Sequence, residues 1–172
     1  LDGEKYIEKT IKSVLGQSFK NFEYIVVDGK SKDGTINIIR KYSKKITKWV
    51  SEKDKGLYDA FNKGIKMSKG KYICIVNSDD LLTKNALSTI NNYVVLNPDI
   101  DFFFGSVKKH WGILHGYRPE KIRYSWGFYS SHSTGFFIKR ISAKKVGQYN
   151  IKYKYHADYD YFYRMIVNKK LK

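Results

Sequence analysis

The chain has 172 residues, 42% of them hydrophobic, enough for one substantial apolar core in a single domain. Its formal net charge is +17, and its one cysteine, Cys74, excludes a disulfide framework and a cysteine-rich zinc site. No apolar run reaches the length that spans a bilayer, and the opening Leu1-Asp2-Gly3-Glu4-Lys5 has neither the basic start nor the apolar stretch of a secretion signal.

The charge is unevenly spread. Residues 116–172 hold 13 basic groups against 3 acidic ones, so the last third contributes +10 of the +17. Such an excess suits phosphorylated substrates, nucleic acid or an anionic membrane equally well, and part of it is an ordinary solvated surface.

From the amino end, Ile7, Ile11, Val14 and Leu15 recur at helical spacing and predict a helix over residues 4–16, stopped by Gly16. Residues 22–28 read as a strand ending in Asp28. The turn-forming loop after it, Gly29 to Thr35, leads into a helix with Ile36, Ile38, Ile39 and Tyr42, for which Ser31 or Asp33 is the cap. A short strand at 46–50 and a charged loop follow. The next helix has Leu57, Tyr58, Phe61, Ile65 and Met67, closes at Gly70, and has Ala60 and Gly64 four apart for a close neighbour.

Tyr72, Ile73, Cys74, Ile75 and Val76 predict a buried parallel strand that delivers Asn77, Ser78, Asp79 and Asp80 at its carboxyl end, and Cys74 a core thiol. Strand ends of this kind are where open α/β sheets bind ligands. Two adjacent carboxylates repel one another unless a cation, hydrogen-bond donors or solvent relieve them. A hard divalent ion is one such partner; an ordinary turn ahead of a helix capped by Thr83 is the other reading. That helix, with Ala86, Leu87, Ile90, Tyr93, Val94 and Leu96, ends at Pro98.

The alternation of helices and strands predicts an α/β fold, a mostly parallel sheet flanked by helices. Beyond Asp99 the pattern changes to short aromatic runs with scattered glycines, which predict antiparallel strands and long loops over residues 101–138. A short helix over 141–147 and a last one over 156–168 complete the chain. In the last helix Asp158 precedes Tyr161 and Phe162 by three and four positions, which puts it on the core-facing side of the first turn. Asp160 and Arg164 are spaced for an intrahelical ion pair. A carboxylate in a first turn also has a purely structural reading, since the helix amino terminus stabilises it.

Several stretches, taken in order, resemble the family-2 glycosyltransferases of the GT-A (Rossmann-like) fold, in particular bacterial enzymes of surface polysaccharide synthesis. They are Tyr24 to Gly29 with Ser31, Asp33, Gly34 and Thr35; Asp54 to Gly64; Asn77-Ser78-Asp79-Asp80; His132 to Phe137; Lys145 to Tyr149; and Ala157-Asp158-Tyr159-Asp160 leading to Arg164.

The resemblance implies a cytoplasmic metal-dependent glycosyltransferase of hexosyltransferase type, possessing a donor-nucleotide half over about 1–98 and an acceptor half over about 99–172, the aromatic region lying on the acceptor side. It implies a nucleotide-sugar donor, UDP-sugar favoured, a saccharide or lipid-linked acceptor and an inverting reaction, while the basic last third predicts peripheral contact with anionic lipid headgroups at the inner face of the cell membrane, or with a lipid-diphosphate acceptor. By the same resemblance Asp79 and then Asp80 hold magnesium or manganese, although Asn77 stands where many relatives have an aspartate. Asp28, Lys55, Asp59, Ser78 and Asp79 line the donor, Asp158 is the catalytic base, and His132 lies on the acceptor side. The family opens with an apolar strand ahead of the first helix. That first strand is missing here, so a fragment of a longer chain is expected.

Two readings from other classes stand beside it. A basic nucleic-acid-binding domain would use the positive charge and the 15 tyrosines for phosphate contact and stacking, although no zinc or RNA-recognition signature accompanies them and nucleic acid is not an expected partner. A catalytically silent relative kept as an assembly partner is the other.

Overall fold

A computed structural model of the chain describes residues 1–114, 122 and 133–172. It contains two compact units, Leu1–Gly70 with Val76–Leu96 and Lys71–Ile75 with Asn97–Lys172.

The first unit begins with α1 (Glu4–Leu15), which turns Ile7, Ile11 and Val14 inward at the expected spacing. It continues with β1 (Ile25–Asp28), α2 (Thr35–Tyr42) and β2 (Lys48–Ser51), and the two strands pair in parallel with Asp28 opposite Ser51. Ile7, Ile11, Val26, Ile39 and Ile46 form the core of this βαβ element. The next helix, α3 (Leu57–Met67), packs on β1, and a Cβ at Gly64 would meet a Val27 methyl at 3.7 Å. This is ordinary van der Waals distance to a side chain, so the close approach expected at Gly64 is not seen among its described neighbours. The helix ends before Gly70, where Ser68 turns extended and its Oγ donates to the Ile65 carbonyl at 2.7 Å.

The last helix of this unit, α4 (Ala86–Leu96), departs from expectation in two ways. Thr83 is not its cap: Gln17, on the turn after α1, reaches across, and its Oε1 accepts from the Leu87 amide at 3.0 Å. None of its residues is buried, and Leu96 is 77% exposed. Tyr93, Val94, Val95 and Leu96 run consecutively, so the apolar surface wraps round the helix instead of marking one face.

In the second unit β3 (Tyr72–Cys74) and β4 (Phe102–Phe104) flank β7 (Phe136–Lys139), and both pairings are antiparallel. Between β4 and β7 in sequence, β5 (Val107–Lys109) and β6 (Gly112–Leu114) make a separate antiparallel hairpin. The antiparallel aromatic region is therefore as predicted, but the parallel strand expected at 72–76 is corrected. It ends at Cys74 and its described partner runs the other way. An apolar run specifies burial and not strand direction, and β7 lies more than 60 residues downstream. Cys74 faces the Thr134 carbonyl and is half-buried, less enclosed than the core thiol expected, while desolvation pushes its thiol up to about 12.

Aromatic rings fill this unit. Phe136 stacks on Phe104 with centroids 5.0 Å apart and meets Phe162 edge-on at 4.8 Å, while Tyr149 stacks on Tyr161 at 4.1 Å. Gly135 lets the sheet close: its carbonyl accepts from the Gly105 amide at 2.7 Å, and a Cβ there would lie 2.7 Å from the Gly105 oxygen. After α5 (Arg140–Val146) comes α6 (Ala157–Tyr163), which passes into a wider π turn over Arg164–Asn168. The single regular helix expected over 156–168 is thus broken at Arg164, whose guanidinium donates to the Val146 and Gln148 carbonyls as well as to Asp160.

Candidate active site

The strand end at Asp28 is the most ordered polar centre of the first unit. Asp28 is only 3% exposed. Its Oδ2 accepts from the Ser31 amide at 3.0 Å and from Ser51 Oγ at 2.7 Å, and its Oδ1 accepts from Ser31 Oγ. Burial works to raise its pKa, but the Ser31 and Ser51 hydroxyls and the Ser31 and Lys30 amides outweigh that and hold the carboxyl below its ordinary value. Asp28 is therefore a fixed carboxylate. The Asp54 side chain lies directly over Gly29, where any Cβ would collide with it, and Asp54 Oδ1 accepts from the Gly56 amide at 3.0 Å. Glycine at position 29 is what brings the Asp54 loop onto the end of β1.

Of the two residues expected on the donor from the next segment, Asp59 is already engaged. Its Oδ2 accepts from the Lys55 amide at 3.0 Å and stands 3.6 Å from Lys63 Nζ, which also pairs with Glu52 at 3.1 Å. The first pairing ties down the start of α3 in the manner of a cap. The Lys55 side chain is exposed.

Ser78 and Asp79 form an exposed turn, and Asp80 is half-buried. Asn77 Nδ2 donates to Asp80 Oδ2 at 2.8 Å and the Asp80 amide to the Asn77 carbonyl at 3.1 Å, so Asn77 holds the second aspartate in place. The polar edge of α1 fixes the rest of this loop. Thr10 Oγ1 donates to the Ser78 carbonyl at 2.8 Å, the Leu82 amide to Ser13 Oγ at 3.2 Å, and Gln17 Nε2 to the Thr83 carbonyl at 2.7 Å.

Asp2 and Gly3 connect the two acidic loops. The Asp2 amide donates to Ser31 Oγ and the Gly3 amide to Thr35 Oγ1, each at 2.8 Å, while a Cβ on Gly3 would sit 3.3 Å from the Ser78 side chain. Through α1, whose start is bonded to the loop after Asp28 and whose Thr10 and Ser13 are bonded to the loop around Asp79, the two acidic segments share one support.

In the second unit, Asp158 sits in the first turn of α6, half-buried, with Oδ1 accepting from the Tyr159 amide at 3.0 Å. Its neighbours Ala157, Tyr161 and Phe162 are fully inside, so Asp158 occupies the margin of the buried stripe, less inward than spacing alone suggested. Asp160 makes the anticipated ion pair with Arg164 at 2.9 Å. His132 lies outside the described residues.

The model of Glycosyl transferase family 2 matches residues 2–162. The chain belongs to this family. An uncharacterized glycosyltransferase of Methanocaldococcus jannaschii is 30% identical over 178 residues, which cover 96% of this chain and 61% of that protein. The poly(ribitol-phosphate) β-N-acetylglucosaminyltransferase TarP of Staphylococcus aureus is 39% identical over 97 residues, 54% of this chain and 29% of TarP. Among solved structures, residues 1–349 of S. aureus TarS in complex with UDP-GlcNAc give a TM-score of 0.80 at 20% identity, covering 97% of this chain and 51% of that one. A mannosyltransferase of Pyrobaculum calidifontis, in complex with GDP-Man and Mn2+, gives 0.65 at 19% identity over 84% of this chain and 44% of that one. These likenesses establish the GT-A fold expected from the sequence. The chain spans less than two thirds of the length of each of these relatives.

Within this family-2 domain, sequence reasoning overlooked the supports of the acidic residues. Ser51 could have been found from the parallel register that sets it beside Asp28. Thr10 and Gln17 carry a signal too: both are polar residues on or beside the inner face of α1, at 3% and 0% exposure, and a buried polar side chain needs a partner. Nothing in the sequence points to the linking role of Asp2 and Gly3.

Proposed function

We propose that this chain is the transferase domain of an inverting glycosyltransferase. It moves a hexose from a nucleoside diphosphate sugar, with UDP the favoured nucleotide, to a saccharide or lipid-linked acceptor of surface polysaccharide. It works in the cytoplasm, beside the anionic inner face of the membrane. The observation that carries this reading is the shared scaffold of two acidic loops in a family-2 chain: Asp28 fixed at the end of β1 and Asp79 presented by the turn after Asn77. The UDP-GlcNAc bound by TarS and the polymer named for TarP support the donor and acceptor classes, and the GDP-Man and Mn2+ of the mannosyltransferase support a nucleotide sugar with a metal.

In this mechanism Asp28, held ionised by Ser31 and Ser51, accepts hydrogen bonds from the base or ribose of the donor. Lys55 and Ser78 add contacts to the donor, and Asp59 orders the loop that bears Lys55. Asp79 and Asp80 would hold magnesium or manganese. Their oxygens suit a hard cation, and with no third acidic, histidine or cysteine side chain gathered there among the described residues, the remaining ligands would be diphosphate oxygens and water. Such an ion neutralises charge on the departing diphosphate. Asp158 takes the proton from the attacking acceptor hydroxyl, a contribution of roughly 10²- to 10⁴-fold. One base with direct attack on the anomeric carbon gives inversion, and His132 assists on the acceptor side.

Calorimetry with UDP-, GDP- and dTDP-sugars in the presence of manganese, paired with a transfer assay, tests these roles. Asp79→Ala should abolish metal-dependent donor binding, whereas Asp158→Asn should keep donor binding and lose transfer by about a hundredfold or more. Unchanged turnover in the Asp158 variant would remove it as the base, and metal-independent binding of equal strength in the Asp79 variant would remove the metal site.

A further inference from the structure

The hairpin of β5 and β6 leaves its largest apolar side chain in water. Its two-residue tip is His110-Trp111, where turn chemistry favours asparagine and glycine. Trp111 is 62% exposed and Ile113 is 51% exposed. The register puts Lys108 across from Ile113 on one face, while Val107, Leu114 and Lys109 lie on the other, less exposed face. Val107 is packed on Gly135, so one face of the hairpin is seated on its own unit and the other is open. An isolated two-stranded hairpin gains little stability from such a tip, so Trp111 and Ile113 serve neither the turn nor the core.

The charge of the hairpin has one sign. From Phe102 to Leu114 the sequence holds Lys108 and Lys109 and no acidic residue. Tryptophan prefers the boundary between lipid headgroups and acyl chains, with lysines beside it at the phosphates. We propose that the open face of the β5–β6 hairpin is the surface through which this chain docks on an anionic bilayer, Trp111 and Ile113 entering the headgroup boundary and Lys108 meeting lipid phosphates. A soluble polyanion without rings would match the lysine but leave the tryptophan and isoleucine unused, and a single-stranded nucleic acid would leave the isoleucine unused. The assignment rests on the reading of a protein that works beside a membrane, and not on sugar transfer.

Cosedimentation of the 172-residue chain with phosphatidylglycerol-containing vesicles, set against pure phosphatidylcholine vesicles at low salt, tests it. The chain should bind the anionic vesicles only, and its tryptophan emission should move to shorter wavelength on binding. Trp111→Ser should remove most of that spectral change, and both Trp111→Ser and Lys108→Gln should weaken binding about fivefold or more. Donor affinity measured by calorimetry should be the same in all variants, which separates failure of this surface from failure of the transferase reading. No binding to anionic vesicles, or equal binding by the variants, overturns the proposal. So does self-association that depends on Trp111 without vesicle binding, or a Trp111 emission change produced by a neutral oligosaccharide and not by lipid.

Discussion

Asp28 shows how much of one residue's behaviour lies in its neighbours. Two serines distant from each other in sequence donate to it, and a buried carboxylate without them would be driven toward its neutral form. Hydrogen bonds to a charged group contribute about 1.5–3 kcal/mol, so Ser51→Ala should destabilise the chain by about 2 kcal/mol at neutral pH. The folded-state pKa of Asp28 lies below the ordinary value of about 4. The ionised form therefore stabilises the fold at pH values above that ordinary value, and the contribution is lost as pH falls through the lower folded-state pKa. Urea unfolding of wild type and Ser51→Ala across this range should give a gap that is full at neutral pH and narrows in acid. A gap independent of pH would mean that Ser51 acts by packing alone. Position 28 itself was legible, because a strand ending in aspartate before a glycine-rich turn is a local pattern. The serine at 51 was not, because it becomes a neighbour only through the pairing of β1 with β2.

Elements with one clear period were legible for the same reason of locality. The stripes of α1, α2 and α3 each name a buried face, and the βαβ order follows from them. Where a run is apolar throughout, period is lost: the run at 72–76 predicts a parallel strand whose described partner is antiparallel, and the apolar residues of α4 mark no buried face. What positions Asp79 is likewise a relation between elements. Gln17, fully buried on the turn after α1, donates to the Ser13 and Thr83 carbonyls and accepts from the Leu87 amide, joining the acidic loop to the start of α4. Gln17→Leu keeps the volume and removes all three bonds; the Thr83 carbonyl still accepts from the Ala86 amide, whereas the Ser13 carbonyl and the Leu87 amide lose the Gln17 side chain, at about 1–3 kcal/mol for each group left without a partner. It should lower the denaturation midpoint and also weaken manganese-dependent donor binding several-fold, although Gln17 is not placed on the donor. Loss of stability with donor affinity intact would show that the loop holds its shape without α1.

At the scale of the molecule, family and charge answer different questions. The match over residues 2–162 establishes the family, and the fold follows from it, yet neither accounts for +17 on 172 residues. A surplus of that size creates a field that draws anions toward the surface before any contact is made, and salt weakens it over a distance of about 10 Å at 0.1 M. A nucleoside diphosphate is a small, strongly charged anion, so its capture should be steered while its release is governed by contacts at short range. Stopped-flow mixing with UDP should therefore show an association rate that falls several-fold between dilute buffer and physiological salt, with the dissociation rate changing far less. Because the excess is concentrated in residues 116–172, neutralising Lys152 and Lys154, which lie outside every proposed contact, should reduce that salt dependence without altering dissociation. If salt changes only the dissociation rate, the surplus acts through local contacts and the field has no part in bringing the donor in.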